Sequence, residues 1–264
     1  MTTSGRGGAG ATRVSAISDA VVVLGMHRSG TSFLVRALNL AGLWLGEPAH
    51  LATIEGRAGS GNPKGNYEHR EAATINEFIL RRSGGAWFSP PPRIVADADD
   101  RQRIGAFCAR LQATRPAEYA RWGWKDPRAL LTLDVWRESL PCSLLVVAAF
   151  RHPTAVARSL LSRNRLPLGA GYALWSHYNR QLLRHMETLP HQLVRFDVDA
   201  SQLIARTLSL CTMIELRADP SAIAAWHDAA LMRSTADEDD LSHAPEAAAI
   251  WSELLRRYRA QVPE

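Results

Sequence analysis

Seven consecutive residues without a polar side chain, Leu144 to Phe150, set the tightest limit on what this chain can fold into. A run that is apolar at every position has no solvent face, so it belongs in the middle of a sheet covered on both sides. It is far too short to cross a bilayer. A second run, Ala20 to Leu24, is β-branched in its middle, stops at Gly25 and reads the same way. Further strands are predicted at Trp122 to Lys125 and Gln192 to Phe196. Helical spacing is predicted over 30–41 (Phe33, Leu34, Ala37, Leu38), 68–82, 97–113, from Pro127, over 153–163 and over 171–188. Strands alternating with helices predict a three-layer α/β fold around a doubly wound parallel sheet. In such sheets ligands bind at the carboxyl ends of the strands.

The chain of 264 residues is long enough to bury a full core as one domain, taken here as residues 20–264 with a helical C-terminal region. Residues 1–19, rich in Gly, Ser, Thr and Ala and without an apolar stretch, read as a disordered tail and not as a signal peptide. Residues 46–67 read as a loop, and 237–240 as an exposed acidic segment. The net charge of +5 is modest, and no Arg/Lys run marks a nucleic-acid arm or a membrane-binding face. Cys108, Cys142 and Cys211 lack metal-ligand spacing and are expected as reduced thiols, which makes a cytoplasmic location the default. No His/Asp/Glu cluster implies a metal. Of 31 basic residues, only Lys64 and Lys125 are lysines. An ammonium is a compact point charge where a guanidinium is a broad fork, so a lysine in so Arg-rich a chain invites a specific role.

Four segments carry candidate chemistry. His27, Arg28, Ser29, Gly30, Thr31 and Ser32 follow the first strand and open a helix, which aims backbone N–H groups at one spot suited to phosphate or sulfate. A nucleoside-triphosphate P-loop would place a lysine where Thr31 stands, and the basic residue here, Arg28, lies inside the loop. Arg151 closes the central strand, and Ser159 follows eight residues later, about two turns into a helix. Lys125-Asp126-Pro127-Arg128 ends a third strand. Asn62-Pro63-Lys64-Gly65-Asn66-Tyr67-Glu68 then His69 precedes a helix.

Arg-Ser-Gly-Thr-Ser after a strand resembles the 5′-phosphosulfate loop of sulfotransferases that use 3′-phosphoadenosine 5′-phosphosulfate (PAPS), especially tyrosylprotein, carbohydrate and related bacterial enzymes. The Arg151/Ser159 pair resembles that family's 3′-phosphate motif, Lys125 its sulfuryl-contacting lysine, and residues 62–68 an Asn-Pro-Lys-Gly segment of bacterial members. The resemblance implies transfer of a sulfuryl group from PAPS to a hydroxyl of a small molecule or glycan, with 3′-phosphoadenosine 5′-phosphate (PAP) as product and no metal. It implies Glu68 as general base, with His69 as rival, and Arg28 and Lys125 as stabilisers of the transferred group. Adjacent helical residues point about 100° apart, so only one of the two bases can serve. Two alternatives stay open: a nucleotide or small-molecule kinase on the same fold, and a non-catalytic nucleotide-binding protein. Trp44, Trp87, Phe88, Trp122, Trp124 and Trp175 are aromatic candidates for core or ligand contacts, with Trp87-Phe88, between glycines and prolines, best suited to an acceptor loop.

Overall fold

The motifs after the first, third and fourth strands emerge side by side because those strands are neighbours in one sheet. The structure, a computed structural model, describes residues 19–52, 65–140, 142–227 and 241–262. Most of the expected N-terminal tail, Lys64 and the acidic segment 237–240 lie outside the described residues. Five strands, β1 (Ala20–Leu24), β2 (Leu43–Trp44), β3 (Arg121–Lys125), β4 (Leu144–Phe150) and β5 (His191–Arg195), pair in parallel in the order β2-β3-β1-β4-β5. The register sets Val23 of β1 opposite Lys125 on one side and Val147 on the other.

The two faces of the sheet are segregated as a period of two requires. Val22, Leu24, Trp122, Trp124, Val146, Ala148 and Phe150 join one core cluster, while Val21, Val23, Leu145, Val147 and Ala149 join the other. The first face is covered by α2 (Arg70–Arg82), α3 (Ala98–Ala113), α4 (Ala129–Ser139), α5 (Pro153–Asn164), α6 (Leu168–Met186) and α9 (Pro245–Arg259). The second is covered by α1 (Thr31–Leu40), α7 (Ala200–Met213) and α8 (Pro220–Trp226). This is the three-layer α/β arrangement expected from the apolar strands. Each fully buried Val or Leu contributes about 1.5–3 kcal/mol to holding the layers together. Trp124 stacks on Trp136 with ring centroids 4.8 Å apart and lies 6.1 Å from Trp122, so Trp122 and Trp124 are core residues. Trp44 and Trp175 are buried as well.

Several boundaries move for local reasons. The helix predicted from Pro127 starts at Ala129, because the Asp126 carboxylate accepts from the Arg128 N–H and folds 126–128 into a turn of its own. The helix predicted from Glu68 starts at Arg70, with His69 as its cap. The helix predicted from Gly171 begins a turn earlier, at Leu168 behind Pro167, since a proline at the entry presets the dihedral that a first turn needs. The two-residue β2 carries no periodicity to read and exists through its pairing with β3. No helix among the described residues is long and apolar enough to cross a membrane.

Candidate functional site

The loop between β1 and α1 is shaped by left-handed backbone. Gly25 (φ 142°) passes so close to β4 that an added Cβ would stand 2.3 Å from the Ala149 carbonyl oxygen. Gly30 (φ 88°) sits under the Phe196 ring, 2.1 Å from where a Cβ would be. Neither site admits a side chain. Gly30 also opens α1 with no side-chain cap and no acidic residue in the first turn, so the first N–H groups and the positive end of the helix face the loop. Ser29, 1% exposed, keeps a buried hydroxyl without a hydrogen-bond partner among the described residues. An oxyanion seated on the loop would satisfy these donors.

Arg28 adopts φ 72°, unusual for a non-glycine residue and costly by roughly 1–2 kcal/mol. Two interactions hold it there. Its carbonyl accepts from Arg151 Nη1 at 3.2 Å, and its Nε donates to Ser159 Oγ at 3.0 Å. The backbone of Arg28 therefore belongs to the loop, while its guanidinium belongs to α5. Burial first, then the charges of Arg163 and Arg151, pull the Arg28 guanidinium down to about 10. The Arg28 guanidinium thus meets the Ser159 hydroxyl while feeling the like charges of Arg163 and Arg151, a surplus of positive charge that suits a doubly charged anion. Trp175 Nε1 donates to the Arg151 carbonyl at 3.0 Å, and the Arg151 guanidinium lies 5.7 Å from the Phe196 ring centre.

On the other side of the loop, β3 delivers Lys125, 2% exposed. Its Nζ donates to Glu68 Oε1 at 2.9 Å and to the Asn66 carbonyl at 3.2 Å, with Ser32 Oγ at 3.5 Å. Burial raises the Glu68 carboxyl, but the charge and hydrogen bond of Lys125 outweigh it, and the net pKa falls below the ordinary carboxylate value. Glu68 is thus ionised at neutral pH. His69 faces elsewhere: its Nδ1 accepts from the Glu71 N–H, and its ring packs 4.8 Å from Phe107 and 5.7 Å from His50. Burial brings its imidazole down to about 4. Of the two candidate bases, Glu68 is the one that meets Lys125.

Asp126, fully buried, is a structural partner. It accepts from Asn76 Nδ2 at 3.0 Å and from Arg128 Nε at 2.9 Å, and Asn76 in turn accepts from Thr132 and Trp136. Arg128, unassigned in the sequence, ties this network to Glu77 at 3.2 Å. Two residues of the site escape the motif reading. Arg163 stands four residues after Ser159 on the same face of α5, a spacing that was there to be read. Phe196 follows β5 at the carboxyl edge of the sheet, where this class of fold places its ligand contacts.

Among the described residues no group of three or more His, Cys, Asp or Glu side chains could hold a metal ion. The residues present fit a ligand carrying two separate anionic groups. One group would meet the uncapped α1 terminus and the Ser29 hydroxyl, the other the Arg28–Ser159 pair with the charges of Arg151 and Arg163.

No family model matches the chain, and no curated protein sequence does. Among solved structures, the chain is similar to the sulfotransferase domain from the curacin biosynthetic pathway, with a TM-score of 0.51 at 16% identity over 89% of this chain and 96% of that one. It is similar also to the sulfotransferase domain of the Synechococcus PCC 7002 olefin synthase, with a TM-score of 0.51 at 17% identity over 92% and 96% of the two chains. The chain has the α/β fold of these sulfotransferase domains.

Proposed function

We propose that the protein is a PAPS-dependent sulfotransferase acting on a hydroxyl of a small molecule or glycan. The observation that carries this reading is the Arg28 guanidinium bonded to Ser159 under the like charges of Arg163 and Arg151, apart from the loop that receives the other anionic group. A kinase has no use for a second anion site of this kind. The fold shared with two sulfotransferase domains supports the reading.

When bound, PAPS supplies the activated sulfuryl group. The α1 terminus, Ser29, Thr31 and Ser32 hold the 5′ end, and the α5 cluster anchors the 3′-phosphate, so binding energy far from sulfur fixes the geometry of transfer. Lys125 neutralises negative charge that builds up on the leaving side and on the sulfuryl oxygens. Glu68, held ionised beside Lys125, takes the proton of the acceptor hydroxyl.

The test is a thermal-shift comparison of PAP, adenosine 5′-phosphosulfate and ATP, followed by transfer assays with and without EDTA. Selective stabilisation by PAP and turnover that survives EDTA are expected. Stabilisation by ATP alone, with Mg²⁺-dependent turnover, would replace this reading with that of a kinase.

A further inference from the structure

One residue of the loop is left without a task by this reading. His27 lies between Met26 and Arg28, yet its side chain turns away from the arginine cluster. Its ring centre is 4.4 Å from that of Trp87 and 6.1 Å, edge-on, from that of Tyr178. Its Nε2 is buried and has no hydrogen-bond partner among the described residues. Buried ring nitrogens are normally satisfied, so such an atom asks for a partner from outside the chain.

The wall facing it is a built one. Ala86 and Ser89 close a tight turn through two backbone hydrogen bonds, 2.9 and 3.1 Å, with Trp87 and Phe88 at its tip. Tyr178 Oη pins the tip by donating to the Trp87 carbonyl at 2.9 Å. Trp87 faces inward over His27, while Phe88, 56% exposed, stands edge-on to it with centroids 5.5 Å apart.

Resting on the sulfotransferase reading, we propose that His27 is an acceptor-positioning residue, whose Nε2 exchanges a hydrogen bond with the acceptor beside the Trp87-Phe88 turn, and that the acceptor is an alcohol on a flat ring. Burial, opposed by Glu68 and reinforced by Arg128, Lys125 and Arg28, keeps the imidazole pKa at about 3. The ring is therefore neutral at working pH and adds no further cation beside Lys125. Its nitrogen orients a hydroxyl without competing with Glu68 for the proton. An aryl ring or the apolar face of a sugar matches the aromatic tip, because flat faces pack on Trp and Phe edges and faces. A flexible alkyl alcohol has no such face to offer.

The test uses the PAP-saturated full chain labelled with nitrogen-15 at histidine, titrated with para-cresol, methyl glucoside or hexanol. A shift of the His27 Nε2 resonance with either ring alcohol, at concentrations about five- to tenfold below those hexanol needs, is expected. Para-cresol as the effective probe marks an aryl acceptor, and methyl glucoside a sugar. In parallel, His27→Phe, which keeps a ring against Trp87 and removes the nitrogen, should raise the acceptor KM about five- to tenfold. Its kcat should stay within a few-fold and its PAP affinity unchanged. A resonance that none of the three moves, or hexanol as effective as the ring alcohols, overturns the proposal. So does a His27→Phe enzyme whose KM is unchanged or whose PAP affinity falls. If the wild-type chain binds no PAP, the sulfotransferase reading fails and this inference falls with it.

Discussion

Lys125 Nζ and Glu68 Oε1 lie 2.9 Å apart, an ion pair in which the lysine is 2% and the glutamate 18% exposed. The two residues come from distant parts of the chain, one from the end of β3 and one from the approach to α2. The pairing matters to both residues. The lysine keeps the carboxylate ionised, and the carboxylate offsets the cost of burying an ammonium. In the sulfotransferase reading, a ligand that draws Lys125 toward itself also loosens its hold on Glu68 and leaves a more basic carboxylate facing the acceptor.

Glu68→Gln should therefore slow transfer by about 10²- to 10⁴-fold, the usual contribution of a positioned base. The amide oxygen still accepts from Lys125, so PAP affinity should change little, while the melting temperature should fall because the buried ammonium loses its counter-charge. Steady-state rates with calorimetric PAP binding check this. A Glu68→Gln enzyme at wild-type rate would move the base elsewhere.

How much of this was open to a reader of the sequence differs from residue to residue. β1 and β4 are legible because every residue in them is apolar, and only a strand covered on both faces uses such a run. β2 is not legible, since two residues make no pattern. Lys125, Arg28 and Arg151 are legible as strand-end residues because a parallel sheet delivers its loops to one edge. The direction of the Arg28 guanidinium is not, because it follows from a left-handed backbone whose carbonyl is held by Arg151. Glu68 and His69 look equivalent in sequence, and what separates them is which one caps α2. Sequence alone does not say that a helix will begin at Arg70 and not two residues earlier.

The α5 cluster predicts a preference for a 3′-phosphate. Arg163→Ala should weaken PAP binding by about ten- to a hundredfold, the worth of one charged hydrogen bond of about 1.5–3 kcal/mol. Affinity for adenosine 5′-phosphate, which lacks that phosphate, should stay within a few-fold. Calorimetry on both nucleotides checks it. Equal losses for the two would place Arg163 outside the cluster's function.

Stability should fall on mild acidification, and His69 should account for part of the slope. Its folded-state pKa, about 4, is depressed from 6.5 by burial, so between those values the unfolded chain binds a proton that the folded chain refuses. The stabilisation is complete above about pH 6.5 and is lost as the pH drops toward 4. Near pH 5 the loss is about 2 kcal/mol, or about 4–8 °C in melting temperature for a domain of this size. His69→Asn retains an N-cap acceptor and does not titrate. Its melting temperature should fall less between pH 7 and 5, by that margin. Parallel curves for the two proteins would contradict the assignment.

Lys125→Arg should damage turnover nearly as much as Lys125→Met, although it conserves charge. Three oxygens converge on Nζ: Glu68 Oε1 at 2.9 Å, the Asn66 carbonyl at 3.2 Å and Ser32 Oγ at 3.5 Å. That is the environment of a compact ammonium with three donors pointing apart. A guanidinium is broader and spreads its donors in a plane, which does not match three oxygens converging on one nitrogen. It would push Glu68 off the acceptor side or reach past Ser32 into the ground for the 5′ group, where it would bind the ground state as well as the transition state and so give no acceleration. Removing one electrostatic stabiliser of this kind typically costs about 10²- to 10³-fold in turnover. Both variants should lose on that order in kcat, while PAP affinity changes by less than about tenfold. Lys125→Met should also lose thermal stability, since it leaves the Glu68 carboxylate half-buried and unpaired; Lys125→Arg, which keeps a cation near Glu68, should lose less. The two measurements separate the roles. A Lys125→Arg enzyme within a few-fold of wild type would mean that only bulk positive charge is required at this position. A fully active Lys125→Met enzyme would remove the lysine from the chemistry and leave it as the anchor of Glu68 alone.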